Sequence, residues 1–330
     1  MSFLSINNSN HAVIHTGCII LAFITQVIAS IFFSLGQEGS VPNALFQTSF
    51  RNVSDTFHLE VTMDWWSINF WIMIDLWSMA WLAYAMVTIF RRNVLVPVSC
   101  NPEIHPPVFY LIWATINVAR VCIMLLFDRN YILGAVVFKW ILPVDSFYML
   151  YMSYFNLNKH KTWLAINNPS MISWTRYLTQ NGLAMFAWWS LLDAAVGLGI
   201  VLKYNNNVPD PLISTITLSI IFLCIFVWFT LQSLLLTKYM SHTYSVYAIL
   251  ILGLGAMLTN SYRVSDLSVN TAICGILMLL TTIMSLTHTI SACMYTGESS
   301  KPLAVGPYVT FDGCDTVCQL EGNIKHKPQK

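Results

Sequence analysis

The sequence predicts an all-α integral membrane bundle of about eight helices, and three observations lead to this fold class. Of the 330 residues, 56% are hydrophobic and only 9% are charged, whereas a soluble domain carries about 25% charged residues. The apolar residues form long runs, and about 20 helical residues cross the hydrocarbon core of a bilayer. The basic residues between the runs favour one side. The chain is therefore expected to be polytopic.

Eight apolar runs are each long enough to cross a bilayer as a helix. The predicted spans are 13–35, 63–90, 107–127, 131–155, 181–203, 211–237, 244–261 and 269–294. Most connections are short, and we expect the largest loops to be an outer one at 36–62 and an inner one at 156–180. The residues Asp128-Arg129-Asn130 should join the third and fourth spans as a tight antiparallel hairpin.

The charge bias predicts that both termini are cytosolic. In that topology the outer side holds Arg51, Arg129, Lys203 and Arg263. The cytosolic side holds Arg91, Arg92, Lys159, Lys161, Arg176, Lys238, Lys301, Lys325, Lys327 and Lys330. Such an excess of basic residues marks the cytosolic face. The sequon Asn52-Val53-Ser54 falls outside, so Asn52 is the predicted glycosylation site. We therefore expect the protein in the plasma membrane or in an endomembrane of the secretory pathway.

We expect two parts in the chain, a transmembrane bundle at 1–294 and a flexible cytosolic tail at 295–330 that contains Gly, Pro, Ser and Lys. The first run is too long for a signal-peptide core, so it is interpreted as a retained helix. The net charge of +1 argues against a nucleic-acid partner. The eight cysteines show no metal-ligand spacing, and no cofactor or metal is expected. The oligomeric state stays open.

Five Asp, Arg and Lys residues lie well away from the ends of the predicted spans. Asp75, Asp145 and Asp193 lie near the midplane, and Arg120 and Lys139 lie toward the outer side. Each costs roughly 2.5–3.5 kcal/mol on insertion scales, so each needs a partner or a function. We expect Arg120 to pair with one of the carboxylates. One carboxylate should then lack a full charge partner, and desolvation would favour its neutral form.

Helical spacing places these groups on shared faces with aromatic residues, because polar stripes turn away from lipid. The sequence therefore predicts an interior cavity between helices two to five. Its candidate ligand-binding residues are Trp71, Asp75, Trp113, Asn117, Arg120, Asp145, Trp188, Trp189 and Asp193. The alternatives stay open: the polar groups can simply hold helices together, or a carboxylate can bind and carry a proton.

Three short patterns are shared with a known family. The second span is rich in Trp and Phe over 69–77, and the third contains Trp113 and Asn117. A basic stretch at 174–176 precedes a helix with Trp188 and Trp189. On these positions the chain resembles the long, eight-span branch of the tryptophan-rich sensory protein (translocator protein) family.

The resemblance covers residues 60–290, and the last three spans match only in pattern and spacing. In the family a Pro-rich stretch usually precedes the second helix, whereas residues 60–64 of this chain are Glu-Val-Thr-Met-Asp. Arg120 and Lys139 map onto no family residue. The resemblance implies a helical bundle with an aromatic cavity for hydrophobic ligands such as tetrapyrroles or sterols, without a settled catalytic activity.

The sequence thus predicts a non-enzymatic membrane receptor or carrier for a small hydrophobic ligand. No nucleophile–base pair or metal cluster is visible in the sequence, although spacing leaves open a site assembled from distant helices. Two alternatives stay open beside this hypothesis. One is a proton-coupled secondary transporter that uses Asp75, Asp145 or Asp193, and the other is a membrane scaffold without a ligand.

Overall fold

The predicted all-α polytopic fold is confirmed in a computed structural model, which describes residues 2–37, 46–47, 50–93, 96–97, 102–265 and 268–299. Eight helical segments in these ranges are long and apolar enough to span a membrane. They are Asn10–Gln37, Trp65–Phe90, Pro107–Asp128, Ile132–Asn167, Pro169–Asn206, Asp210–Leu235, Ser245–Val264 and Val269–Cys293. Each contains most or all of one predicted span.

The helices and strands follow in chain order. They are α1 (Ser2–Gln37), α2 (Phe50–Thr56), a 3₁₀ turn (Trp65–Ser67), α3 (Ile68–Phe90), β1 (Arg92–Asn93), β2 (Val96–Pro97), α4 (Pro107–Asp128), α5 (Ile132–Asn167), α6 (Pro169–Trp174), a π-helical segment (Thr175–Gln180), α7 (Asn181–Asn206), α8 (Asp210–Thr230), a second π-helical segment (Leu231–Leu235), α9 (Thr237–Met240), α10 (Ser245–Ser265) and α11 (Val269–Ser299). The strands β1 and β2 form one short antiparallel pair.

The predicted inner loop at 156–180 is wrong, because helix occupies almost all of it. Helix α5 continues to Asn167, and α6 begins at Pro169 after a break at Asn168. At 1.5 Å per residue, the 36 residues of α5 measure about 54 Å, well beyond the roughly 30 Å hydrocarbon core. Polar residues therefore extend this helix outside the core, and their low hydropathy does not indicate a loop. The predicted outer loop at 36–62 likewise contains the short helix α2.

The predicted hairpin between the third and fourth spans is confirmed. Asn130 adopts a left-handed conformation with φ 60°, which asparagine tolerates better than most residues. The backbone N–H of Asn130 donates to the carbonyl of Phe127 at 3.0 Å, and that of Tyr131 donates to Leu126 at 2.9 Å. These bonds close the turn and set α4 and α5 side by side.

Helix α7 lies at the centre of the bundle and packs against α3, α5, α8 and α10. Nearly every side chain on it is buried, all around the helix. Small residues let neighbouring helices approach closely, as in other membrane bundles. At Gly182 an added Cβ would lie 2.5 Å from Cδ1 of Trp77, so only glycine fits there. The other spans expose apolar side chains on their outward faces.

The chain divides into two compact units, residues 1–290 and 291–330. The first contains all the sites discussed below. In the second, residues 291–299 are helical. The predicted tail at 295–330 lies, from residue 300 onward, outside the described residues, and its flexibility stays a prediction.

Candidate functional site

A cavity of about 480 Å³ enters the bundle from one end. We call this the outer end; it carries the connections between α1 and α3, α4 and α5, α7 and α8, and α10 and α11. The positive-inside prediction places it away from the cytosol. Side chains of α3, α4, α5, α7 and α10 line the cavity, together with Phe33 of α1 and with residues 53–55, 57, 58 and 62–65 above them. Its volume lies within the roughly 300–1,000 Å³ of small-molecule sites.

The floor of the cavity is aromatic. Trp71 of α3 and Trp189 of α7 line it, and Phe127 of α4 lines its side. Behind this surface the rings continue in edge contacts: Phe186 lies 5.9 Å from Trp71 and 5.0 Å from Trp113, centroid to centroid. Such T-shaped pairs add about 0.5–1.5 kcal/mol each beyond their buried area. The floor is therefore built from packed aromatic rings.

The predicted pairing of Arg120 with a carboxylate is seen at the inner wall of the cavity. Arg120 Nη2 lies 2.8 Å from Asp75 Oδ1 and donates to Oδ2 at 2.9 Å, with side chains only 5% and 10% exposed. Arg120 Nη1 also donates to the Asn117 side-chain oxygen at 3.3 Å. The guanidinium carbon lies 5.5 Å from the Trp71 ring centre. Gln26 of α1 donates to the same carboxylate at 3.3 Å.

A second ion pair lies higher on the wall. Lys139 of α5 donates to Asp193 of α7 at 2.7 Å, and both side chains line the cavity. The Lys139 ammonium also lies 4.8 Å from the Phe127 ring centre. The Asp193 carboxylate is 28% exposed and the lysine 12%. This pair therefore presents charge to the cavity, whereas the pair of Asp75 and Arg120 is almost closed off.

The rim of the cavity is formed by residues 57–64, which we call the outer segment. Asp64 accepts two hydrogen bonds from Arg263 of α10, at 3.1 and 2.7 Å. The backbone N–H of Asp64 donates to the carbonyl of Ala256 at 3.1 Å. Asn260 donates to the carbonyls of Leu59 and Glu60. The outer segment is thus fixed to α10 and holds the mouth of the cavity in place.

The structure brings together only some of the predicted site residues. Trp71, Arg120, Trp189 and Asp193 line the cavity. Three more support it from behind, namely Asp75, Asn117 and Trp113. The remaining two lie elsewhere: Trp188 packs against Phe147 and Trp228, and Asp145 is absent from the cavity lining. Among the described residues, Asp145 forms no ion pair. It is therefore the intramembrane carboxylate without a charge partner that the sequence analysis expects.

Sequence reasoning missed the outer segment and Arg263. These residues lie in polar connections, and their contacts join positions about 200 residues apart, such as Asp64 with Arg263. A local pattern carries no signal for such a pair. The 3₁₀ turn that starts at Trp65, with Asp64 capping its N-terminus, is the one local feature that indicates an ordered segment here.

Toward the opposite, inner end, the described residues enclose a water-sized cavity of about 20 Å³ that is lined by residues including Trp81 and His105. His105 Nε2 lies 3.1 Å from Ser153 Oγ, and the side chain of His15 lies 2.9 Å from the His105 carbonyl. Burial and, to a smaller extent, the neighbouring His15 lower the pKa of His105 to about 3. The outer cavity is therefore separated from the inner end by packed aromatic and neutral polar groups.

Comparisons with protein-family models, with curated proteins and with solved structures return no match. The fold itself defines the class: the chain is an all-α, multi-pass integral membrane protein with eight spans in its described part.

Proposed function

We propose that this protein is a receptor or carrier for a small hydrophobic ligand that carries a polar group. The observation that supports the proposal is the outer cavity, with its aromatic floor and the pair of Lys139 and Asp193 on its wall. Known ligand pockets combine mostly apolar walls with a few placed polar groups. The ligand body would lie on Trp71 and Trp189, and its polar group would reach Lys139 or Asp193.

The resemblance to the translocator protein family suggests tetrapyrroles and sterols as probes. The two classes differ in their polar groups, since tetrapyrroles carry carboxylates and sterols a hydroxyl. A carboxylate would favour Lys139, and a hydroxyl would be able to donate to Asp193. The plasma membrane or a secretory endomembrane remains the proposed location, with Asn52 as the proposed glycosylation site.

Two neighbouring tryptophans provide a matched test. Trp189 lines the cavity, Trp188 does not, and each is 1% exposed on the same helix. The protein in nanodiscs is titrated with protoporphyrin, followed by its absorbance, and with a fluorescent sterol, followed by polarisation. We expect Trp189→Phe to weaken the Kd about tenfold, equivalent to about 1.4 kcal/mol, and Trp188→Phe to leave it within twofold. Equal effects of the two substitutions, or no saturable binding, would contradict the proposal.

One observation favours the second candidate, a proton-coupled transporter. Asp145 lies within a span, and among the described residues it forms neither a hydrogen bond nor an ion pair, so nothing there offsets the cost of its charge. A transporter of this kind would lose pH-dependent flux in Asp145→Asn while keeping its folding yield. Unchanged flux in Asp145→Asn would remove this support. If both the binding and the flux experiments fail, the scaffold without a ligand remains.

A further inference from the structure

Glu60 is a buried carboxylate that the proposed ligand site does not use. It lies in the outer segment and is only 4% exposed. One oxygen, Oε2, accepts a hydrogen bond from the Asn270 side chain at 2.7 Å. The other, Oε1, accepts from Ser261 at 3.2 Å and from Ser268. All of these donors are neutral, and a buried carboxylate without a cation is costly.

Two described carboxylates that contact the outer segment or belong to it, Asp64 and Asp210, already have their own cations. Asp64 is bound by Arg263, and Asp210 accepts from Lys203 at 2.8 Å. Asp210 also accepts the backbone N–H of Glu60 at 3.2 Å. The charges of these two pairs cancel. Within the described residues, Glu60 therefore leaves this buried network with one negative charge in excess.

One Glu60 oxygen and three hydroxyl oxygens beside it form a closed ring. Glu60 Oε1 contacts the hydroxyls of Ser261 and Ser268. Both hydroxyls in turn contact Thr271 Oγ1, at 2.8 Å from Ser261 and 3.0 Å from Ser268. The ring thus has four oxygen–oxygen contacts. Each hydroxyl carries one proton that it can donate, and an ionised carboxylate carries none.

Three protons cannot occupy four contacts. At least one pair of oxygens in the ring therefore faces each other without a hydrogen atom between them. By the count of ion pairs among the described residues, the network around Glu60 also lacks one positive charge. Both counts apply to ionised Glu60, and a single bound monovalent cation would supply the missing charge and lie between the oxygens that have no hydrogen atom between them.

We propose that Glu60, Ser261, Ser268 and Thr271 form a sodium site at the outer end of α10 and α11. Three sides of the ring measure 2.8–3.2 Å, so its four oxygens lie close enough together to be ligands of one hard cation, which oxygen ligands hold at about 2.0–2.6 Å. A slight widening of the ring admits the ion. Irregular backbone beside a helix end is also where membrane carriers bind coupling ions.

The charge of the site selects a monovalent ion. Calcium takes six to eight oxygen ligands, with several carboxylates among them, whereas this ring contains one carboxylate and three hydroxyls. A divalent ion would also replace one excess negative charge by one excess positive charge. The sodium site shares no residue with the cavity lining, so it goes beyond the proposed ligand function and can be tested without a ligand.

The test is thermal unfolding of the full chain in nanodiscs, in NaCl against choline chloride at equal ionic strength. We expect the Tm to rise saturably with Na⁺, by roughly 5 °C when Na⁺ reaches about one hundred times its Kd. KCl should give a smaller rise. A Tm that is the same in NaCl and choline chloride would overturn the proposal. So would a Tm that rises on acidification and does not respond to Na⁺, since a proton would then occupy the ring.

A matched pair of variants assigns the response to the ring. Thr271→Val removes one ring oxygen, whereas Thr281→Val removes a buried hydroxyl on the same helix whose one hydrogen bond among the described residues goes to the Leu277 carbonyl. We expect Thr271→Val to weaken the apparent Na⁺ affinity at least tenfold and Thr281→Val to leave it unchanged. Glu60→Gln should abolish the response. If the Glu60→Gln variant does not fold, the comparison of the two threonine variants decides whether the Na⁺ response belongs to the ring. Equal Na⁺ responses in the two threonine variants would refute the assignment.

Discussion

Arg120→Met tests the polar centre of the bundle, because it leaves the Asp75 carboxylate buried without its cation. The pair is 5% and 10% exposed, and removing one partner of a buried pair costs roughly 3–5 kcal/mol. The guanidinium also lies 5.7 Å from the Phe186 ring centre, an interaction worth about 0.5–2 kcal/mol. We therefore expect a loss of about 4 kcal/mol in the free energy of unfolding.

Arg129→Met is the matched control for this substitution. Arg129 lies just after α4, its side chain is 47% exposed, and it is 3.6 Å from Asp128. Exposed pairs of this kind contribute about 0–1 kcal/mol. Asp128 also keeps two bonds from the backbone N–H of Gln47, at 2.9 and 3.1 Å. The control should therefore lose less than about 1 kcal/mol.

The double variant Arg120→Met with Asp75→Asn separates lost charge pairing from lost packing. The amide that replaces the Asp75 carboxylate would carry no charge and would still accept a hydrogen bond from Gln26. Because the unpaired charge is gone, we expect the double variant to recover at least half of the loss. The assay is equilibrium unfolding in mixed micelles with increasing SDS. Equal stability of the Arg120 and Arg129 variants, or no recovery in the double variant, would refute this reasoning.

Three further predictions concern packing, pH and glycosylation. Gly182→Ala should lower the free energy of unfolding by about 1–3 kcal/mol, because the new methyl group displaces Trp77. Gly17→Ala is the control and should not lower it, because a methyl group at Gly17 would meet no other atom within 4 Å. Unfolding in SDS compares the two variants. Burial, and then the charge of Arg176, lower the pKa of His242 from 6.5 to about 4, so the native state favours the neutral imidazole. The Tm should therefore be constant above pH 6.5 and fall as the pH is lowered toward 4. The substitution His242→Gln should make the Tm less dependent on pH in this range. Glycosidase should reduce the mass of the wild type but not that of Asn52→Gln.

The positions of the spans could be predicted because hydropathy and length act locally. The end of α5 could not, since 156–167 are polar and continue the helix beyond the hydrocarbon core. The pairing of Arg120 was predictable for a physical reason, because a cation inside a span needs a carboxylate and few are available. Which carboxylate it binds depends on how α3 and α4 pack.

Trp188 and Trp189 show the limit of spacing arguments. Both were predicted to line the site, yet neighbouring residues on a helix point about 100° apart, so only Trp189 lines the cavity. The buried ring at Glu60 had no local signal either. Its members come from the outer segment and from both sides of the connection between α10 and α11, about 200 residues apart in sequence. Only the folded chain brings these oxygens together.

Access to the cavity from the non-cytosolic side is the central claim, and cysteine labelling tests it most directly. Val196 lines the cavity on α7, whereas Val144 lies 62% exposed on the outward face of α5. Intact cells that express Val196→Cys, Val144→Cys or the parent are treated with a small, charged, membrane-impermeant thiosulfonate. We expect labelling above the parent level only in Val196→Cys, and slower labelling once protoporphyrin is bound. Labelling of Val196→Cys only after permeabilisation would contradict the outward-open cavity.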